Sequence, residues 1–184
     1  VTDVAGRPLL SALEALITDV PDYPSPGILF KDITPLLADH DAFVATVQAL
    51  ADAGRDASGA TVVDKVIGME ARGFILAAPV ALALGAGFVP VRKAGKLPRE
   101  THAVSYALEY GEATLEIHAD AVAPGERVLL VDDVLATGGT IDASRQLVEA
   151  CGGTVAGVAV LMELSALPGR GAVGDLPVTA LMTV

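Results

Sequence analysis

Leu9, Leu10, Leu13, Leu16 and Ile17 recur at three- and four-residue spacing, which predicts an amphipathic helix over about residues 8–18. The next stretch, PDYPSPGILF, carries three prolines within six residues. Proline has no backbone N–H to donate, so helix is excluded there. Asp39 or Asp41 is placed to cap a second helix carrying Phe43, Val44, Val47 and Leu50. TVVDKVIGM then predicts a strand, ARGFILAAPVALALG a helix and FVPVRK a second strand. VSYALEYGEATLEIHA alternates apolar and polar positions, the pattern of a hairpin, turning near Gly111. RVLLVDD is almost continuously apolar, as a parallel strand covered on both faces should be. TIDASRQLVEACGG predicts a helix closed by glycines, TVAGVAVLMEL another buried strand and PVTALMTV a last short one. Strands alternating with helices predict an α/β fold: a mainly parallel central sheet flanked by helices. No repeat, low-complexity tract or linker interrupts residues 1–184, so a single domain is expected.

Ligands of open α/β sheets bind beyond the carboxyl ends of the strands. Polar residues gather at those ends here: Glu70 and Arg72, Arg92 and Lys93, Asp132 and Asp133, and Glu163. Strand ends are also simply where chains turn polar, so the chemistry of each group decides. ATGGT, residues 136–140, joins a strand to a helix. The N–H groups at a helix start lack intrahelical acceptors and carry partial positive charge, glycine lets the backbone approach closely, and Thr137 and Thr140 add hydroxyls. Such a loop suits a phosphate monoester. Asp132 and Asp133 lie a few residues before it and can accept hydrogen bonds from a vicinal diol; a diol one sugar-length from a phosphate is a ribose 5-phosphate. A Mg²⁺ site built directly from both acids is the competing reading.

Composition narrows the classes. Hydrophobic residues make up 52 % of the 184 and the net charge is -11; mean hydropathy is +0.55 and the pI about 4.5. This is a globular chain without the basic face that a nucleic-acid or anionic-membrane binder needs. Against that field, Arg92, Lys93, Lys96 and Arg99 are four of the twelve basic residues and fall within eight positions, which suggests a ligand richer in charge than one phosphate, or else a solvated loop. The single cysteine, Cys151, excludes an internal disulfide and a multi-cysteine metal site, and reads as a small buried hydrophobe. The start, VTDVAGRPLL, lacks the basic and apolar regions of a signal peptide, so a cytoplasmic protein is expected. Gly73–Val91 contains no charge, but Pro79, Gly85, Gly87 and Pro90 interrupt it, predicting a buried helix, a turn and a buried strand in place of a membrane span. GKLPRE has Leu97 where a Walker loop needs Ser or Thr, and GRGAVG, residues 169–174, matches a dinucleotide fingerprint but follows Pro168 and not a strand.

VLLVDDVLATGGT resembles the phosphoribosyl-pyrophosphate (PRPP) motif of the type I phosphoribosyltransferases. PSPGILFKDITPLLAD, GMEARGF, VRKAGKLPRET, SYALEYGEATLEIH and VLMEL are similar, in order and spacing, to segments of the adenine phosphoribosyltransferase family, so the resemblance runs from about residue 15 to 180. It implies the type I fold with a small N-terminal hood over about residues 1–35 and a flexible hairpin lid over about 94–116. The implied reaction is adenine + PRPP → AMP + pyrophosphate. Mg²⁺ would be held mainly through PRPP, with no direct protein ligand, in a cytoplasmic homodimer. Ala136, Thr137, Gly138, Gly139 and Thr140 would cradle the 5-phosphate, and Asp132 and Asp133 the ribose hydroxyls. Ala71 and Arg72 would meet the pyrophosphate, with a cis peptide at Glu70–Ala71; Arg92, Lys93 and Lys96 would assist, Arg92 reaching the partner subunit's site. Leu29, Phe30 and Lys31 would form the adenine pocket, with Leu164 on its opposite wall. Lys31 stands where some members carry Arg, and the two differ in planar contacts.

Glu109 and Arg72 would be catalytic. In SYALEY, alternation puts Tyr106, Leu108 and Tyr110 on one face and Ser105, Ala107 and Glu109 on the other, so Glu109 points away from the aromatic face. Glu116, past the turn, is the control: its substitution by Gln is expected to be nearly silent. Two other functions compete: the same transfer to a 6-oxopurine such as hypoxanthine or guanine, against which GILFKDIT argues, and a PRPP- or purine-sensing regulator without turnover.

Overall fold

The computed structural model describes residues 8–107 and 112–184. The chain forms two compact units, Val1–Ala49 and Leu50–Val184. In the first, helix α1 (Leu9–Leu16) buries Leu9, Ala12 and Leu13. It ends before residue 18 because Thr18–Pro21 forms strand β1, antiparallel to β2 (Leu29–Asp32). The proline-rich stretch is therefore the link of a two-stranded sheet. A short helix α2 (Thr34–Ala38) follows, and then α3 (His40–Ala51). Of the two candidate caps, Asp39 serves: its Oδ1 accepts the Ala42 N–H at 2.9 Å.

The second unit runs β3 (Lys65–Met69), α4 (Arg72–Leu84), β4 (Gly87–Lys93), β5 (Thr101–Ala107), β6 (Glu112–His118), β7 (Arg127–Leu135), α5 (Gly139–Ala150), β8 (Thr154–Glu163), α6 (Gly169–Ala172) and β9 (Val178–Thr183). Its sheet has the order β5-β6-β4-β3-β7-β8-β9. From β4 to β9 neighbouring strands are parallel; β6 pairs antiparallel with both β4 and β5. This is the expected mainly parallel sheet with a hairpin on one edge. Val128, Leu129, Leu130 and Val131 of β7 are completely buried, as a strand covered on both faces must be. Leu130, Val158 and Val160 share one core cluster with Ile141, Leu147 and Val148 of α5.

The uncharged stretch resolves as α4, a left-handed Gly85 cap and β4, with Pro79 inside the helix. Among the described residues no helix is long and apolar enough to cross a membrane. Residues 94–116, expected as a lid, include a strand of the sheet proper: β6 is hydrogen-bonded to β4 and buries Leu115 and Ile117. The expected turn near Gly111 lies outside the described residues.

Chain direction decides where a site can form. The chain passes from β3 to β4 on one side, while β7, β8 and β9 extend from β3 on the other. The reversal falls between β3 and β7, so a crevice opens at their carboxyl ends, at Glu70–Arg72 and Asp132–Thr140.

Candidate active site

β7 does not stop at the acids. It continues to Leu135, pairing Val134 with Met162 and Leu135 with Glu163 of β8, whereas pairing with β3 ends at Gly68 and Val131. Asp132 and Asp133 thus lie inside a strand, just past the point where its neighbour has ended. There a strand is held on one side and open on the other.

Ala136–Gly138 turn the chain into α5. Gly138 has φ 84°, a left-handed conformation that suits glycine. A pocket of about 110 Å³ is lined by Asp132, Val134, Leu135, Ala136, Thr137, Gly138, Thr140 and Ile141, large enough for a phosphate-sized group. The GRGAVG segment supplies α6 (Gly169–Ala172), which packs against this loop. A Cβ on Gly138 would stand 2.7 Å from both the Gly169 carbonyl oxygen and the Ala172 Cβ, and one on Gly169 would meet the Ala136 carbonyl oxygen. On another side Tyr106 of β5 closes in. A Cβ on Gly139 would stand 2.8 Å from the Tyr106 ring, and the Tyr106 hydroxyl lies 3.1 Å from Thr140 Oγ1.

Successive strand residues face opposite ways. Asp132 lines the pocket. Its Oδ1 accepts the Asp133 N–H at 2.9 Å, and a Cβ on Gly73 would stand 2.7 Å from the same oxygen. Burial, and then the charge of Asp133, push the Asp132 carboxyl well above the usual range, against an opposing pull from Arg72. Asp133 is buried and paired at 2.7 Å with Arg72, the first residue of α4. The two carboxyls still lie close enough to interact side chain to side chain, Asp132 on the pocket wall and Asp133 on Arg72, whose charge acts on both.

The peptide between Glu70 and Ala71 is cis. Glu70, named from sequence only as a polar strand end, organises the basic segment. Its Oε1 accepts from Lys96 Nζ at 2.7 Å, and its Oε2 accepts the Lys93 N–H at 3.0 Å and lies 3.3 Å from Arg92 Nε. The Lys96 hydrogen bond leads in lowering its pKa to about 2, helped by the Lys93 N–H and the charges of Lys96 and Arg92 and opposed by desolvation. The Arg92 guanidinium also lies 6.0 Å from the Phe74 ring centroid. Arg99 leaves this cluster and pairs with Asp120. Glu116 Oε2 accepts the Gly95 N–H at 3.0 Å and so supports the same basic turn, an acceptor role that Gln could keep.

In the first unit, Leu29, Phe30 and Lys31 form part of β2. Leu29 is exposed, Phe30 meets Tyr23 edge-on at 5.2 Å, and Lys31 Nζ pairs with Asp19 Oδ1 at 2.6 Å. In the second unit, Leu164 follows β8 and donates its N–H to the Leu135 carbonyl at 3.0 Å. Next to it Glu163 receives a two-nitrogen contact from Arg170. Glu109 lies outside the described residues.

Residues 36–172 match the family model for the phosphoribosyl transferase domain. An adenine phosphoribosyltransferase of Nocardioides sp. is 72 % identical over 177 residues, covering 96 % of each chain. The crystal structure of adenine phosphoribosyltransferase from Thermoanaerobacter pseudethanolicus superposes with TM-score 0.89 at 48 % identity, over 95 % of this chain and 99 % of that one. That of Saccharomyces cerevisiae, solved with an imino-altritol bisphosphate and adenine, gives 0.89 at 38 % identity, over 94 % and 98 %.

Proposed function

The chain belongs to the adenine phosphoribosyltransferases, purine-salvage enzymes of type I phosphoribosyltransferase fold, and from that premise we propose how its residues divide the work. The reaction transfers the 5-phosphoribosyl group of PRPP to adenine, giving AMP and pyrophosphate. The observation that carries the residue assignment is the pocket where Asp132 faces the loop at the start of α5.

In this reading the amides of Ala136–Thr140 and the hydroxyls of Thr137 and Thr140 hold the 5-phosphate. Asp132, on the pocket side, accepts from a ribose hydroxyl. Asp133 acts through Arg72, holding the guanidinium toward the pyrophosphate. Ala71, Arg92, Lys93 and Lys96 complete the diphosphate site. Adenine recognition falls to Leu29, Phe30, Lys31 and Leu164, the residues that the family match assigns to it. The base attacks C1 of the ribose as the C1–O bond to pyrophosphate breaks, its electron pair leaving with pyrophosphate. Positive charge grows on the sugar, where Asp132 stabilises it, and negative charge on the leaving group, where the cations do. The base gives up a proton as its bond to C1 forms; Glu109, matched from the family, shares it at N7. The hairpin side keeps water from the activated sugar.

Asp132 also suits a hard cation, being an oxygen donor on the pocket wall. Mg²⁺ bound to the PRPP diphosphate would neutralise charge on the leaving pyrophosphate. The proposal takes the enzyme as a cytoplasmic homodimer. Its test is pyrophosphate release with PRPP and each of adenine, hypoxanthine and guanine. Adenine-dependent release, with the oxopurines poor competitors, is expected. PRPP binding without turnover would leave a sensor, and equal turnover of the oxopurines would overturn the base assignment.

A further inference from the structure

Tyr106 touches the phosphate loop twice, through its hydroxyl at Thr140 and its ring at Gly139. It does so from β5, the edge strand of the sheet and the one whose chain continues to Glu109 three residues later. Its pairing partner across the hairpin is Ala113, too small to account for where the ring and hydroxyl point. A threonine hydroxyl has one proton and two lone pairs. Either hydroxyl can donate in the Tyr106–Thr140 pair. Once a phosphate oxygen needs a donor, only one polarity serves: Tyr106 gives its proton to Thr140 Oγ1, and Thr140 gives its own to the phosphate.

We propose that Tyr106 is a positioning residue for PRPP: through its hydroxyl it aims the Thr140 O–H at the 5-phosphate, and through the same bond the occupied phosphate loop holds β5 in place. This rests on the reading of Thr140 as a phosphate ligand. A hydroxyl that donates becomes a better acceptor, so the two bonds strengthen each other. By reciprocity, docking of the hairpin strand tightens phosphate binding as much as phosphate tightens docking. Occupancy of the phosphate site is thereby coupled to the strand that precedes the proposed acid in the chain.

The experiment compares wild type, Tyr106→Phe, Thr140→Val, Thr140→Ser and the Tyr106→Phe/Thr140→Val pair. Ribose 5-phosphate affinity is read by calorimetry and the PRPP KM by kinetics, with thermal melting as the control for folding. Tyr106→Phe keeps the ring over Gly139 and removes only the hydroxyl. It is expected to weaken ribose 5-phosphate binding and raise the PRPP KM by roughly 3- to 10-fold, the value of one neutral hydrogen bond. Thr140→Val should lose at least as much, the double variant no more than Thr140→Val alone, and Thr140→Ser should retain near wild-type affinity. Wild-type affinity in Tyr106→Phe beside a weakened Thr140→Val overturns the proposal and leaves the phosphate assignment standing. Additive losses in the double variant overturn it too, since the hydroxyls then act separately. A silent Thr140→Val removes the phosphate assignment of Thr140 and the proposal with it. Should Tyr106→Phe melt early, wild-type binding by Thr140→Ser together with a loss in Thr140→Val still supports the hydroxyl relay, and equal losses in both overturn it.

Discussion

Asp132 carries a carboxylate in surroundings that favour its neutral form, crowded by Gly73 and adjacent to the charged Asp133. Its folded pKa lies above the unfolded 3.8. A raised carboxyl supports folding while protonated, and that support is lost as pH rises through the folded value. Asp132→Asn removes the titration. It is therefore expected to raise Tm at about pH 8, with the gain fading toward about pH 3. Melting curves across that range check this, and a gain independent of pH would show that ionisation is not the cause. The same variant should bind PRPP more weakly, by about 1.5–3 kcal/mol for a lost charge-assisted bond, so the acid is kept at a cost in stability. Glu109→Gln preserves size and hydrogen bonding without the titratable proton. It is expected to lower kcat by about 10²–10⁴-fold with little change in the PRPP KM; wild-type kcat when chemistry limits turnover would remove Glu109 from the mechanism. The acids and threonines of the pocket were legible because their residue types sit beside one another in sequence. Glu70 was not, because its partners lie more than twenty positions away and only the parallel register of β3 on β4, Met69 beside Val91, brings them to it. The contact between Glu116 and the Gly95 N–H was hidden for the same reason, being twenty-one positions apart in sequence.

At the scale of elements, the phosphate loop is a turn gripped between α6 and β5. Gly138 has no room for a side chain on the α6 side and a backbone conformation that disfavours one. Gly138→Ala is expected to cost about 1–3 kcal/mol of stability from strain alone and to raise the PRPP KM. Unchanged melting and kinetics would mean that α6 yields freely and does not hold the loop. The longer elements followed from periodicity: α4, α5 and β8 stand close to where the apolar pattern puts them. The missed ones are short. β1 and β2 have four residues each, too few for alternation to register, and prolines between them mask the turn. α2 has five residues and α6 four, each about a single turn. The extra length of β7, Val134 and Leu135, was hidden because the two acids before it read as the strand's end, while β8 still offers a backbone to pair with.

At the scale of the whole molecule, alternation of strands and helices announces a parallel sheet, but nothing local encodes its order. The β3/β7 switch point is a product of long-range packing, and the crevice with it. The proposed dimer has a direct test. An Arg92→Ala chain mixed with an Asp132→Asn/Asp133→Asn chain should recover up to about half of wild-type activity if each site borrows the partner's Arg92, since one of two sites is then intact. No recovery in a verified heterodimer would mean that Arg92 serves its own chain, where it already meets Glu70. The chain as a whole is a polyanion with net charge -11, and so is its substrate. What admits one to the other is the cluster that Glu70 gathers, and Glu70 makes it only partly cationic. An incoming diphosphate thus exchanges with a resident counter-anion. Ion exchange of this kind responds weakly to ionic strength, because little net charge is neutralised in it. In Glu70→Gln the resident anion is gone, so the PRPP KM should climb more steeply with added salt than in wild type, and parallel salt profiles would show that Glu70 releases nothing when substrate arrives.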